Sequence, residues 1–180
     1  MDITQLTRLV PPPIEPAEIV RWDEVEARIG KLPDDYKELI STYGPGTFWG
    51  DLTVNGPEWI EESGTQHDLV EILHRIANRG PESVNLSGAP DGRAAVGTES
   101  DQYLAWGGAS GTQTGFWRVT DADPNKWPVV FTELSAIDYE PAGLVAYLVS
   151  LFGGAFDSVA LPEDWLEDSR DLGAPPFERG

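Results

Sequence analysis

His67, Glu71 and His74 are spaced four and three residues apart, which places two imidazoles and a carboxylate together on one side of a helix. Such a trio could hold a divalent metal. The same helical count puts Leu69, Ile72, Leu73 and Ile76 on the opposite side, so the trio is expected to project into solvent, with neither the cleft nor the HExxH order of a catalytic zinc site. Asp121, Asp123 and Asn125 copy the first three ligand positions of a calcium loop. Lys126 stands where the loop needs glycine and Thr132 where it needs a bidentate glutamate, so the stretch reads as a hairpin turn. No metal and no cofactor are expected.

Other chemistries fail on residue type. The chain has no cysteine, which removes thiolate nucleophiles, disulfides and cysteine-containing zinc sites. Serine has no GxSxG elbow to expose it, and the two histidines sit on a polar helix face rather than in a triad. GGASGTQTG is glycine-rich but has no following lysine and lies between two strand patterns, so it is a flexible hairpin loop and not a phosphate cradle. Asn85-Leu86-Ser87 fits a glycosylation acceptor, which a cytoplasmic chain never uses. With 31 acidic residues, carboxylate pairs arise by accident and carry no catalytic signal. The expectation is a protein that is not an enzyme.

The elements that position these residues follow from spacing. Residues 10–16, VPPPIEP, cannot be a helix interior and form an extended lead-in, assigned to 1–19. Trp22, Val25 and Ile29 repeat helically up to Gly30. Pro33 then opens a second helix with Tyr36, Leu39, Ile40 and Tyr43 as its apolar stripe and Gly44 as its cap. GTFWGDLTVNGP predicts a short strand ending in a turn, and HDLVEILHRIANRG an amphipathic helix. RAAVG, YLAWG, TGFWRVT and WPVVFTEL read as four strands, and PAGLVAYLVSLF as a closing helix. The order α-α-β-α-β-β-β-β-α lacks βαβ alternation and predicts a single α+β domain with an antiparallel sheet covered by helices.

Three of the seven tryptophans, Trp106, Trp117 and Trp127, fall within this strand region. Strand side chains alternate, so at most one of Phe116 and Trp117 is expected to point inward. Two of the three tryptophans are expected under the helices and one near an edge or hairpin end. The residues from Gly153 are acidic and proline-bearing; they either dock through Phe156, Trp165 and Phe177 or form a disordered arm.

Charge is the strongest compositional signal: 31 acids against 12 bases give −19. Lys and Arg are absent between Glu38 and His74 and again between Trp127 and Ser169. So negative a surface repels phosphate backbones and anionic lipid and attracts a basic protein, which argues against nucleic acid and membrane as partners. No apolar run approaches the ~18 residues of a membrane helix, and the first residues lack a signal-peptide pattern, so a cytoplasmic location is expected.

Trp22-x2-Val25-Glu26-x2-Ile29, then Leu32-Pro33-x-Asp35-Tyr36-Lys37-x-Leu39, then Tyr43-Gly44-x-Gly46-x-Phe48 and Leu52, resemble the opening of the SUKH superfamily, the Smi/Knr-type domain. Trp106-Gly107, Phe116-Trp117 and Trp127-Pro128-Val129-Val130-Phe131 resemble the strand region of its actinobacterial members. The resemblance covers 20–155, leaving 156–180 as an acidic C-terminal extension. It implies a curved antiparallel sheet, no catalytic centre and, as in many bacterial members, a cytoplasmic immunity protein that occludes a basic toxin domain, often a nuclease. An intracellular scaffold or regulatory module, as among eukaryotic relatives, is the alternative. Candidate contact residues are Asp51, Glu58, Glu61 and Glu62 in the acidic loop after the first strand, with Trp49 and Trp59 as aromatic anchors. Trp59 is equally readable as a loop residue folded over the core.

Overall fold

The computed structural model describes residues 2–63, 67–89, 91–109 and 112–180, apart from the side chains of 63 and 67–69. Among the described residues, eight α-helices and eight strands build an α+β fold. They are α1 Ile3–Leu9, α2 Trp22–Ile29, α3 Asp34–Tyr43, β1 Gly46–Phe48, β2 Leu52–Val54, α4 Pro57–Ser63, α5 His67–Arg79, β3 Asn85–Ser87, α6 Gly92–Val96, β4 Gln102–Gly108, β5 Thr114–Val119, β6 Val129–Glu133, β7 Ala136–Glu140, α7 Leu144–Phe152, α8 Trp165–Asp171 and β8 Phe177–Arg179. The sheet runs β3-β7-β6-β5-β4-β2-β1-β8. Every neighbouring pair is antiparallel except β3 and β7, so the sheet is mixed where an antiparallel one was expected. No helix among the described residues is long and apolar enough to cross a membrane.

The first nineteen residues are not simply extended. Asp2 accepts a hydrogen bond from the Gln5 amide while the Gln5 side chain accepts from the Asp2 amide, a reciprocal cap that starts α1. Leu6 and Val10 then bury completely beside α7 and α3, and the Tyr43 hydroxyl donates to Val10 O at 2.6 Å. Pro11 to Pro13 end the helix as their missing amides require. Helices α2 and α3 occupy the expected places, with Val25, Tyr36, Leu39, Ile40 and Tyr43 buried.

RAAVG was expected as a strand and is the short helix α6. The Asp91 carboxylate accepts from the Arg93 amide to cap it, and the Arg93 guanidinium donates to Ala77 O at 3.0 Å at the end of α5. Strand β7, not foreseen, returns from β6 through the two-residue turn Leu134-Ser135. That turn lacks the usual Gly or Asn, and Leu134 takes a φ of 48° in their place.

Both faces of the sheet are covered at β4 to β7, which overturns the expectation that Phe116 and Trp117 cannot both be internal. Trp106, Trp117 and Phe131 belong to a core with α1, α3 and α7, while Tyr103, Ala105, Phe116 and Val130 belong to a second core with α5 and α6. Phe116 and Trp117 are each 0% exposed, on opposite sides. The tryptophans divide two to one: Trp106 and Trp117 are buried, and half-buried Trp127 sits in the β5–β6 connection, donating its indole N–H to Asp121 O at 2.7 Å. Gly115 makes room for this core, since a Cβ there would fall 2.1 Å from the Trp106 ring.

The segment from 156 docks. Trp165 stacks near Phe152 with 6.4 Å between ring centroids, Phe177 packs on Tyr43 and Phe48, and β8 adds an edge strand to β1. The Arg179 guanidinium donates to Tyr43 O, Pro16 O and Glu15 O, tying this strand to the proline-rich strap.

Candidate partner-binding face

Strands β1 and β2 direct Phe48, Leu52 and Val54 into the first core, and alternation sends Thr47 and Thr53 to the other face. The second apolar core draws no residue from β1 or β2. The uncovered face is an open groove of about 430 Å³ floored by Thr47, Thr53, Thr114, Gly107 and Gly108, with Asp51 and Trp59 at its sides and Asn55 and Gln113 completing the lining. The Thr47 and Thr53 hydroxyls lie 3.0 Å apart in a mutual hydrogen bond. The glycines in the floor allow close approach of β4 to β2, because a Cβ on Gly107 would fall 2.0 Å from Thr53 O. Gln113 Oε1 is shut off from solvent and has no hydrogen-bond partner among the described residues. Leaving such an acceptor unmet costs about 1–3 kcal/mol.

Six residues were singled out from the sequence for partner contact, and the structure separates them. Asp51 and Trp59 line the groove. Trp59 lies on helix α4 and not in a loop, and it also packs against both apolar cores. Trp49 is half-buried and engaged by the chain's own α8. It opens the β1–β2 turn with φ 52°, followed by Gly50 at 71°, and Asp51 N donates to Phe48 O at 3.1 Å, the geometry of a type I′ turn. A tryptophan holds this left-handed position because α8 lies over it: the Arg170 guanidinium is 4.8 Å from its ring, and its backbone amide donates to Pro176 O. Asp51 Oδ2 in turn accepts the Trp165 indole N–H at 2.7 Å.

Glu58 and Glu61 face α2 instead. Glu61 receives the Arg28 Nε at 2.9 and 3.2 Å on its two oxygens. Exposed Glu58 borders a second depression of about 580 Å³ beside Arg21, Arg28 and Arg179. With burial as the larger cause, its charge also helps push the Tyr36 hydroxyl pKa upward, and that hydroxyl donates to Asn55 O at 2.8 Å. Glu62 is exposed on α4.

The metal-like motifs resolve into structural bonds. Asp121 Oδ1 accepts from the Asp123 amide, Asp123 Oδ1 from the Asn125 amide, and Asn125 exchanges two hydrogen bonds with Asp34 on α3, at 2.7 and 3.0 Å. The Asp123 amide and then Lys126 hold the Asp121 carboxyl below its ordinary range. His74 does not project into solvent as expected: it is half-buried, its Nε2 lies 2.8 Å from Asp101 O and its ring 6.0 Å from that of Tyr103. Glu71 is exposed, and the His67 and Leu69 side chains lie outside those described. Among the described residues no three His, Asp or Glu side chains cluster to hold a metal ion.

Sequence reasoning missed Thr47, Thr53, Asn55, Gln113 and Thr114 as lining residues. The polar middle positions of GTF and LTV are the one local signal for them, since a polar residue between two buried ones marks a face turned away from the core. Family models, curated proteins and solved structures were each compared with the chain, and none matches it.

Proposed function

We propose that this protein is a non-catalytic immunity protein that binds the basic domain of a toxin, of the nuclease kind, and blocks it by occlusion. One observation carries this reading: seven of the twelve cations are engaged by the chain's own groups while acids beside the groove stand exposed. Arg21, Arg28, Lys37, Arg118 and Lys126 are paired with the chain's own carboxylates, and Arg93 and Arg179 with backbone carbonyls. Glu163, Asp164, Glu167, Asp168 and Asp171 are exposed on and before α8, next to the Asp51 end of the groove. Glu62 is exposed on α4, the helix that also brings Trp59 to the groove. Such a surface, on a chain of net charge −19, offers a nuclease's phosphate-binding groove a substitute for nucleic acid. The resemblance of the LPxDYKxL and tryptophan-strand motifs to the SUKH superfamily supports the same role.

The test is binding to the product of a neighbouring toxin-like gene, followed by stopped-flow association at several ionic strengths. Raising salt from about 50 to about 500 mM should slow association roughly tenfold or more and change dissociation far less. No binding at low salt, or an association rate indifferent to salt, overturns the proposal. Selective retention of a neutral or acidic partner would do so in favour of a regulatory scaffold.

A further inference from the structure

We infer that the groove between Asp51 and Trp59 is a receptor for one arginine side chain of the basic partner. This rests on the immunity reading for the identity of the partner, and on the groove's own residues for the chemistry. A guanidinium brings five N–H donors in a plane and no acceptor. The groove offers the converse: acceptors at Gln113, Asn55 and the threonine hydroxyls, a carboxylate at Asp51, and an indole at Trp59 on which a flat cation can stack.

Gln113 is the most specific part of the match. Its Oε1 has no partner among the described residues, while its backbone carbonyl is already engaged by the Ala109 amide at 3.2 Å. The last torsion of a glutamine side chain is soft, so rotation of the amide carries this oxygen into the groove when a donor arrives. One of the Thr47 and Thr53 hydroxyls donates to the other, and each retains a lone pair for an incoming N–H.

Charge selects among occupants. A neutral sugar could use the same hydroxyls, amide and indole, but Asp51 and the exposed acids of α8 next to it favour a cation electrostatically. Volume agrees: about 430 Å³ holds a long side chain and not a folded element. Arginine fits better than lysine because its planar fork can lie on Trp59 while reaching acceptors at the edge.

The experiment is an NMR titration of the isotopically labelled full chain with N-acetyl-argininamide, against matched sodium chloride, N-acetyl-citrullinamide and glucose. The arginine probe should produce saturable shifts at the Trp59 indole N–H and the Gln113 side-chain amide, and the uncharged isostere and the sugar should not. Gln113→Leu, at a position where the fold uses only the backbone, should weaken the probe roughly tenfold or more. Trp59→Phe serves as the second variant, retaining a ring and weakening binding less. No shift in the groove, equal shifts with citrulline or glucose, shifts confined to the acids of α8, or an unaltered affinity in Gln113→Leu would each overturn the assignment. If the toxin domain binds but the arginine probe does not, the groove assignment fails and the immunity reading stands. The reverse result separates them the other way.

Discussion

Replacing Asp138 should separate two contributions that a buried carboxylate makes to this fold. Asp138 is 0% exposed and accepts hydrogen bonds from the Tyr147 hydroxyl at 2.8 Å, the Ser158 hydroxyl at 2.6 Å and the Val159 amide at 2.8 Å. Asp138→Ala leaves the buried Tyr147 hydroxyl and the Val159 amide without this acceptor. At about 1–3 kcal/mol for each stranded donor, the variant should lose about 3–5 kcal/mol of stability. Asp138→Asn retains the size and a carbonyl for Val159, and its amide can donate to hydroxyls that rotate to accept, so the loss should stay within about 2 kcal/mol. Urea unfolding followed by tryptophan fluorescence measures both. An alanine variant within about 1 kcal/mol of the parent, or an asparagine variant as damaged as the alanine one, refutes the reasoning.

The pH dependence adds a signed check. Burial raises the Asp138 pKa above its ordinary 3.8, against the opposing effect of its hydrogen bonds. The native state therefore holds this proton more tightly than the unfolded chain does. The corresponding stability is fully present below 3.8 and is lost as pH rises through the folded value. Asparagine cannot titrate, so the stability difference between parent and Asp138→Asn should move in the parent's favour on acidification from about pH 7 to about pH 4. A flat difference across that window contradicts the assignment, and Asp35, whose pKa burial also raises, cancels in the comparison.

Two further outcomes test the packing. Gly115→Ala drives a Cβ to 2.1 Å from the Trp106 ring, which is hemmed in by Phe131 and Tyr147, and should cost about 3 kcal/mol with loss of near-ultraviolet circular dichroism; a thermal midpoint within about 2 °C of the parent refutes it. Arg179→Ala removes donors to Tyr43 O, Glu15 O and Pro16 O and should cost about 1–2 kcal/mol. Hydrogen exchange should then quicken at β8 and the strap but not at β5, and unchanged protection at β8 would contradict the role given to Arg179.

Periodic elements were legible in the sequence, and pairwise geometry was not. The stripes Tyr36-Leu39-Ile40-Tyr43 and Leu144-Tyr147-Leu148-Leu151 announce α3 and α7 because a one-sided apolar surface has few places to go. RAAVG misleads because five residues carry too little periodicity to distinguish helix from strand, and the deciding contact, Arg93 to Ala77 O, comes from another helix. Alternation at Phe116-Trp117 was sound, but it was combined with the assumption of one covered face. The sheet has two, and a double-sided strand reads as a continuous apolar run. Of the candidate site, Asp51 and Trp59 were reachable from charge and aromatic type, whereas Gln113 depends on the hairpin register that sets Gly108 opposite Thr114.

The C-terminal segment connects stability to the proposed contact face. Asp138 anchors Ser158 and Val159; from there the chain runs to Trp165, whose indole N–H fixes the Asp51 carboxylate, and to Arg170, which covers Trp49 in its left-handed turn. Without α8 above it, a tryptophan at φ 52° loses the contacts that offset its backbone strain, and the turn that places Asp51 loses its support. The buried carboxylate on β7 and the exposed ones on α8 therefore belong to one mechanical chain. The first costs desolvation in order to order residues 158–161, and that order holds the acidic helix and Asp51 in a fixed relation to Trp59 before any partner arrives. On the proposed function, a partner's cation would meet a preorganised site and need not order one, which lowers the entropic cost of binding.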